Sequence, residues 1–316
     1  MTPRSLQAAS GLPRLEARML LEAALDKPRS WLLAHDTDLL PDAAVQAFTA
    51  AAARRMAGEP MAYILGWREF MGHRFRVTPD VLIPRPDTEL LVETAIAEIE
   101  AAVARRAQRV AEEGRTEPRT AASGGINPGA TALGNVTPAT AQQAATLSSD
   151  RVSVLDLGTG SGAIAVSVSL ACPHAQVVAV DESAAALAVA RDNGAALGAT
   201  VEWLAGSWFE PLAADRRFDV IVSNPPYIAA DDPHLEAGDL RFEPAGALTD
   251  HACGMADLTQ IAAGAVRRLN PGGALWVEHG WTQAEAVRAL FIQNGFSRVE
   301  SRRDLAGIER ISGGYL

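Results

Sequence analysis

The sequence predicts an α/β fold in which a mostly parallel sheet with an antiparallel edge is covered by helices, preceded by a small helical bundle and a hairpin. Three observations carry this. From residue 152 onward, short apolar runs alternate with helix-like stretches; the first 60 residues repeat their apolar groups at helical spacing; and an alternating stretch with a glycine turn lies between the two. A chain of 316 residues, 48% of them hydrophobic, has the length for one large domain and a smaller one.

The elements follow in order. Leu12, Leu15, Met19 and Ala23 fall on one helical face, and a second helix opens at Pro41-Asp42, carries Val45, Phe48, Ala52 and Met56, and stops at Gly58 and Pro60. Residues 1–60 therefore read as a helical bundle, with Arg54-Arg55 as cations favoured at a helix C-terminus. Residues 61–88 read as a linker, because "REFMGHRFRVT" alternates about a turn at Gly72. "IPRPDTELLVE" then breaks extended structure at Pro84 and Pro86 and starts a helix capped by Asp87 or Thr88. Residues 89–316 form the large domain, interrupted at 107–149 by a stretch of Ala, Thr, Gly, Ser and Pro that holds too little apolar surface to order itself. After it come "VSVLDL" (152–157), "VVAVD" (177–181), "VEWLA" (201–205), "FDVIVSN" (218–224) and "ALWVEH" (274–279), apolar runs of the kind a parallel sheet buries on both faces. The tail supplies two further strands as an antiparallel edge.

Bulk chemistry narrows the function. The formal charge, 28 − 38 = −10, argues against a protein that coats nucleic acid by neutralising phosphates. Cys172 and Cys253 stand apart with no histidine at ligand spacing, so neither a disulfide nor a metal site is expected. With no signal core and no membrane-length apolar run, the expected location is the cytoplasm, with no membrane partner.

Two constellations carry chemistry. "DLGTGSGAIAVSV" sets Gly158, Gly160 and Gly162 where the first sheet strand ends, letting the backbone turn tightly and approach a ligand; Asp181, ending the second strand, is placed to accept ribose hydroxyls. Gly158-x-Gly160-x-x-Ala163 also satisfies the dinucleotide fingerprint, so these residues alone leave the nucleoside cofactor open. "SNPPY" stands at the end of the fourth strand. Pro225 and Pro226 fix their own φ angles and offer carbonyls without N–H groups, Asn224 adds a side-chain acceptor, and Tyr227 adds a flat wall. That set suits a planar NH2 group, either a carboxamide or an exocyclic adenine amine, held in line with a methyl donor.

The chain resembles the N5-glutamine methyltransferases of peptide chain release factors (the PrmC/HemK family) through "GEPMAYILGWREFMG" (58–72), "VLIPRPDTELLVE" (81–93), "VLDLGTGSGAIAV" (154–166), "GSWFEPL" (206–212), "VSNPPYI" (222–228), "GDLRFEPAGAL" (238–248) and "LNPGGALWVEHG" (269–280). The resemblance implies a Rossmann-like class I methyltransferase sheet. It also implies S-adenosyl-L-methionine as cofactor and, as partner, a class 1 release factor whose Gly-Gly-Gln glutamine is methylated on the side-chain amide, without direct contact to nucleic acid. By motif, Gly158, Thr159, Gly160, Ser161 and Gly162 would hold the methionine part, Asp181 the ribose and Trp208 the adenine region. Asn224, beside the cofactor, would orient the glutamine with Pro225, Pro226 and Tyr227, and the helical bundle would dock the release factor. Two alternatives stand: a DNA or RNA adenine methyltransferase, which shares the Asn-Pro-Pro-Tyr tetrapeptide, and a non-catalytic binding module. The stretch "LTDHACGMADLTQ" (248–260) is looser than the family's usual Asp-Gly-Leu pattern.

Overall fold

The computed structural model describes residues 1–116 and 151–316. The N-terminal part packs α1 (Pro3–Ala9), α2 (Arg14–Leu25), α3 (Arg29–Ala34) and α4 (Asp42–Met56) around Leu6, Leu20, Leu21, Leu32 and Phe48. Val45 and Phe48 face this core as their spacing predicts, but Met56 is 62% exposed. The face of α2 also differs from expectation: Ala17, Leu20 and Leu21 are buried while Leu15 is 56% exposed. Pro13 precedes the first helical turn, leaving Leu12 outside the helix, and the 17/20/21 stripe buries two leucines where the 15/19/23 stripe would bury one. Arg54 pairs with Glu59, and Arg55 with Glu16 at 2.9 Å and Asp239 at 3.2 Å, so the helix-end cations also hold neighbouring elements.

Pro60 opens a short helix, α5 (Met61–Leu65), ahead of the expected hairpin, which forms from β1 (Trp67–Phe70) and β2 (His73–Arg76) about Met71-Gly72. The segment beyond it packs Val77, Val81 and Ile83 against Ala186 and Val189. Pro86–Thr88 makes one 3-10 turn before α6 (Glu89–Thr116). This helix continues through residues 107–116, which the sequence assigns to the insertion. "AQRVAEEGRT" begins with good helix formers that extend an established helix by one hydrogen bond per residue, whatever their poverty in core groups. The remainder of the insertion, 117–149, lies outside the described residues.

The large domain is a seven-stranded sheet built from β3 (Ser153–Leu157), β4 (Gln176–Asp181), β5 (Val201–Ala205), β6 (Phe218–Ser223), β7 (Leu269–Glu278), β8 (Ser297–Arg303) and β9 (Glu309–Tyr315). Their order is β5-β4-β3-β6-β7-β9-β8, with β9 antiparallel to β7 and to β8. This is the expected Rossmann-like architecture with an antiparallel edge. β7 starts five residues earlier than the apolar run, because Leu269 already pairs with Phe218 before an irregularity resets the register at Val220 and Ala274.

Both faces of the sheet are covered. On one, Leu91, Val92, Ala95 and Ile99 of α6 meet Ile164 and Val166 of α7 (Ala163–Ala171) over Val154 and Val222. On the other, Leu258 and Ile261 of α9 (Ala256–Ala265) and Phe291 of α10 (Ala284–Gln293) cover Leu155, Ile221 and Leu275. A further helix, α8 (Ala184–Leu197), joins β4 to β5. The chain leaves β3 toward β4 on one side and the β6 side is filled later, so the strand order reverses between β3 and β6. A crevice opens there at the carboxyl ends. Among the described residues no helix is long and apolar enough to cross a membrane.

Candidate active site

The glycine turn is held by the neighbouring strand. Gly158 and Thr159 donate their N–H groups to the Val180 carbonyl at 2.9 and 3.0 Å, and Gly160 donates to Asp181 Oδ2 at 2.8 Å. Asp181 Oδ1 takes the Ser183 N–H at 2.9 Å, so this carboxylate ties the turn to the start of α8 while each oxygen keeps acceptor capacity. Gly158 and Gly160 line a cavity of about 340 Å³, whereas Thr159, Ser161 and Gly162 do not. Thr159 turns inward to donate to Asp156 Oδ2 at 2.6 Å, and the Ser161 carbonyl accepts from Asn193. Gly162 caps α7 at φ +81°, where a Cβ would sit 3.1 Å from Ala190 Cβ and 3.2 Å from the Trp203 ring. Its glycine is therefore required by helix packing. Gly162→Val should lower unfolding stability by about 1–3 kcal/mol, measured by urea denaturation; an unchanged midpoint would refute the packing role.

Trp208 also lines the cavity and packs beside the turn, with its ring 3.3 Å from the place a Cβ on Gly158 would occupy. Its φ of +44° is a left-handed value that a bulky residue rarely adopts. The cavity is otherwise lined by Asp80, Val81 and Leu82 of the linker, by Pro244, Gly246 and Ala247 of the loop after β6, and by Asp257 and Gln260 of α9. These two covering segments are clasped together: Glu243 accepts the Ile83 N–H at 3.0 Å and pairs with Arg85. Among the described residues no arginine, lysine or histidine lines the cavity, while Asp80, Asp181, Glu182 and Asp257 do. Burial pushes the Asp181 and Asp257 carboxyls up from their ordinary values.

At the other wall stands the proline loop. Ser223 Oγ donates to the Leu157 carbonyl at 2.8 Å, locking the end of β6 to β3. Asn224 and Pro226 line the cavity; Pro225 is buried and Tyr227 packs behind. Asn224 Nδ2 donates to Thr88 Oγ1 at 3.1 Å, which leaves its Oδ1 as a free acceptor. The Tyr227 hydroxyl donates to Glu278 Oε1 at 3.1 Å, and its carbonyl accepts from Gln283 Nε2 at 3.0 Å. The loose stretch 248–260 is ordered by one carboxylate: Asp250 takes the N–H groups of Ala252, Gly254 and Ala256 at 2.8–2.9 Å.

Glu278 and Thr88 are absent from the residues singled out by motif. Glu278 is 2% exposed at the carboxyl end of β7, and burial raises its pKa from 4.5 to about 7; Asp87 pushes the same way, and Thr88, Tyr227 and Arg310 oppose. A charged residue closing the buried run "ALWVE" is the signal that could have found it. Asp156, fully buried at the end of β3, is likewise raised by burial to about 7. Both folded-state values exceed the unfolded ones. Their contribution to stability is therefore complete below the unfolded values of 3.8 and 4.5, and is lost as pH rises through about 7. The melting temperature should be lower at pH 8 than at pH 6, and Glu278→Gln should shrink that difference; a rise from pH 6 to pH 8 would contradict it.

The doubly wound sheet with its glycine turn and proline loop on one carboxyl edge belongs to the methyltransferase class: residues 126–249 match the family model described as methyltransferase small domain, and residues 3–66 match the PrmC N-terminal domain. The chain belongs to the release factor glutamine methyltransferase family. It is 57% identical to the release factor glutamine methyltransferase of Bordetella pertussis, over 99% of this chain and 98% of the relative. The enzymes of the same name from Burkholderia pseudomallei (46% identical, 100% of this chain and 96% of the relative covered) and Neisseria gonorrhoeae (44%, 96% and 93%) are similar along most of their lengths.

Proposed function

We propose that this methyltransferase transfers a methyl group from S-adenosyl-L-methionine to the side-chain amide nitrogen (N5) of the glutamine in the Gly-Gly-Gln motif of class 1 release factors, in the cytoplasm. The observation that carries the cofactor assignment is the charge of the cavity: among the described residues four carboxylates and no cation line it, which suits a sulfonium and an ammonium and would repel the pyrophosphate of a dinucleotide. When bound, S-adenosyl-L-methionine supplies an electrophilic methyl group. Asp181 is placed to accept the ribose hydroxyls, Gly158 and Gly160 admit the ligand to backbone range, and Trp208 walls the adenine region. Thr159, Ser161 and Gly162 support the turn from within.

Asn224 Oδ1 accepts one hydrogen of the substrate NH2 and the Pro225 carbonyl accepts the other, while Pro226 and Tyr227 keep the loop rigid. Two acceptors on one amide raise the availability of its delocalised lone pair and point it along the transfer axis, so no strong base is required before attack. Residues 1–60 are assigned to release-factor docking, 61–88 to the linker, and 89–316 to catalysis. Arg55–Asp239 at 3.2 Å and Arg241 on the Ala57 carbonyl at 3.2 Å join the bundle to the loop that lines the cavity, giving docking a route to the site. The test is transfer of labelled methyl to intact release factor, to its Gly-Gly-Gln variant with the glutamine replaced, and to duplex DNA. Label confined to that glutamine is expected; label on adenine, or none, would overturn the assignment. The net charge of −10 is unfavourable for the adenine alternative.

A further inference from the structure

Pro225 and Pro226 bring no N–H group to the proline loop, so the loop cannot tie itself down there through its own backbone donors. Their φ angles are fixed, but a turn in ψ at Pro225 would still swing its carbonyl away from the substrate nitrogen. The geometry of the acceptors therefore depends on what grips the loop at its two ends. The first end is held by Ser223, whose hydroxyl donates to the Leu157 carbonyl at 2.8 Å. The second end is Tyr227, and among the described residues its carbonyl takes one donor, the side chain of Gln283 at 3.0 Å.

Gln283 stands half-buried at the N-terminus of α10, and both polar atoms of its side chain are engaged. Oε1 accepts the Gly280 N–H at 2.7 Å, while Nε2 donates to the Tyr227 carbonyl at 3.0 Å and to the Gly254 carbonyl at 3.1 Å. Each partner works one way only, since a backbone N–H donates and a carbonyl accepts. A single orientation of the carboxamide satisfies all three. The Gln283 N–H returns to the Gly280 carbonyl at 3.0 Å, closing a turn that fixes the residue beside the end of β7. Gly254 belongs to the 248–260 stretch, which runs beside the chain that leaves the prolines: Ile228 donates to the Leu248 carbonyl at 3.0 Å and Ala230 to that of Ala252 at 2.9 Å. A Cβ on Gly254 would collide with the Tyr227 carbonyl oxygen and stand 2.9 Å from Gln283 Nε2, so the three groups meet with no room between them. The two hydrogens of one amide thus hold together the two segments that pair beyond the prolines.

We propose that Gln283 is a positioning residue for methyl transfer: by holding the Tyr227 and Gly254 carbonyls it locks the far end of the proline loop, and with it the Pro225 carbonyl that accepts the substrate NH2. This rests on the reading of the loop as the acceptor for the glutamine amide. Gln283 does not line the cavity, so its effect falls on orientation at the loop and not on cofactor binding.

The experiment compares the parent with Gln283→Met, which keeps length and packing and removes both donors, and with Gln283→Glu, which keeps the acceptor for the Gly280 N–H and removes the donors. Methyl transfer to release factor, S-adenosyl-L-methionine affinity by titration and the urea unfolding midpoint are measured on the full chain. The chain has three tyrosines, so labelling with 3-fluorotyrosine gives three fluorine signals, and Tyr227→Phe identifies the one from Tyr227. In both variants kcat per folded enzyme should fall about tenfold to a hundredfold, with cofactor affinity within about threefold of the parent. The Tyr227 fluorine signal should broaden or split, while those of Tyr63 and Tyr315 stay as in the parent. Gln283→Glu covers the case in which the methionine variant does not fold. A glutamine with a purely structural role would lower the urea midpoint and leave kcat per folded enzyme parental. That result in either variant, an unchanged Tyr227 signal, or a loss confined to cofactor affinity overturns the proposal. A parent enzyme that labels no glutamine refutes the proposed substrate instead, and the fluorine signal still decides whether Gln283 holds the loop.

Discussion

Asn224→Ala is expected to reduce kcat for glutamine methylation about a hundredfold to a thousandfold, the loss seen when one preorganised hydrogen-bonding group is removed from a transition state. Asn224 stands at the carboxyl end of β6 with its NH2 already committed to Thr88, so its Oδ1 is set before substrate arrives and needs no reorganisation during reaction. The amide nitrogen of glutamine is a poor nucleophile because its lone pair is delocalised, and the energy lost with this acceptor falls on the chemical step. Affinity for S-adenosyl-L-methionine should change little, since Gly158, Gly160, Asp181 and Trp208 are untouched. Single-turnover transfer and equilibrium titration of the cofactor separate the two effects. A variant with parental kcat would remove Asn224 from the reaction.

Asp181→Ala should have the second-largest effect, raising the dissociation constant for S-adenosyl-L-methionine about tenfold to a hundredfold, in line with loss of a charged hydrogen-bond acceptor. Two physical causes add. On the proposed assignment the ribose loses its acceptor, and the Gly160 and Ser183 N–H groups, held at 2.8 and 2.9 Å, lose the carboxylate that ties the glycine turn to α8. At saturating cofactor kcat should recover most of its parental value, because the acceptors on the proline loop remain. Titration calorimetry gives the affinity directly. Unchanged binding would mean that the ribose is held elsewhere.

The elements of the sheet were legible because each depends on a local pattern. Apolar runs bounded by turn residues locate β3 to β6 to within a residue or so, and the triple glycine and the double proline mark strand ends by conformational restriction alone. The N-terminal helices were legible as helices, yet the face of α2 was not. Periodicity detects an apolar stripe, but with leucines on several faces only the packing partners select which one is buried. The start of the insertion was misplaced for a similar reason: residues 107–116 lack core groups and still continue a helix begun by others.

Within the candidate site the same division holds. The sequence by itself determined the residues whose chemistry is written in their type: the glycine turn, Asp181 and the Asn-Pro-Pro-Tyr loop. It could not reveal that Thr159 and Gly162 serve the turn and the helix while Gly158 and Gly160 face the cavity. Nor could it reveal that Thr88 takes the Asn224 NH2 from 136 positions away, or that Glu278 takes the Tyr227 hydroxyl. Those relations arise only when strands distant in sequence are laid side by side. The direction of a hydrogen bond and the protonation of a buried carboxyl are properties of what surrounds a group in space, and that surrounding is assembled by the tertiary fold.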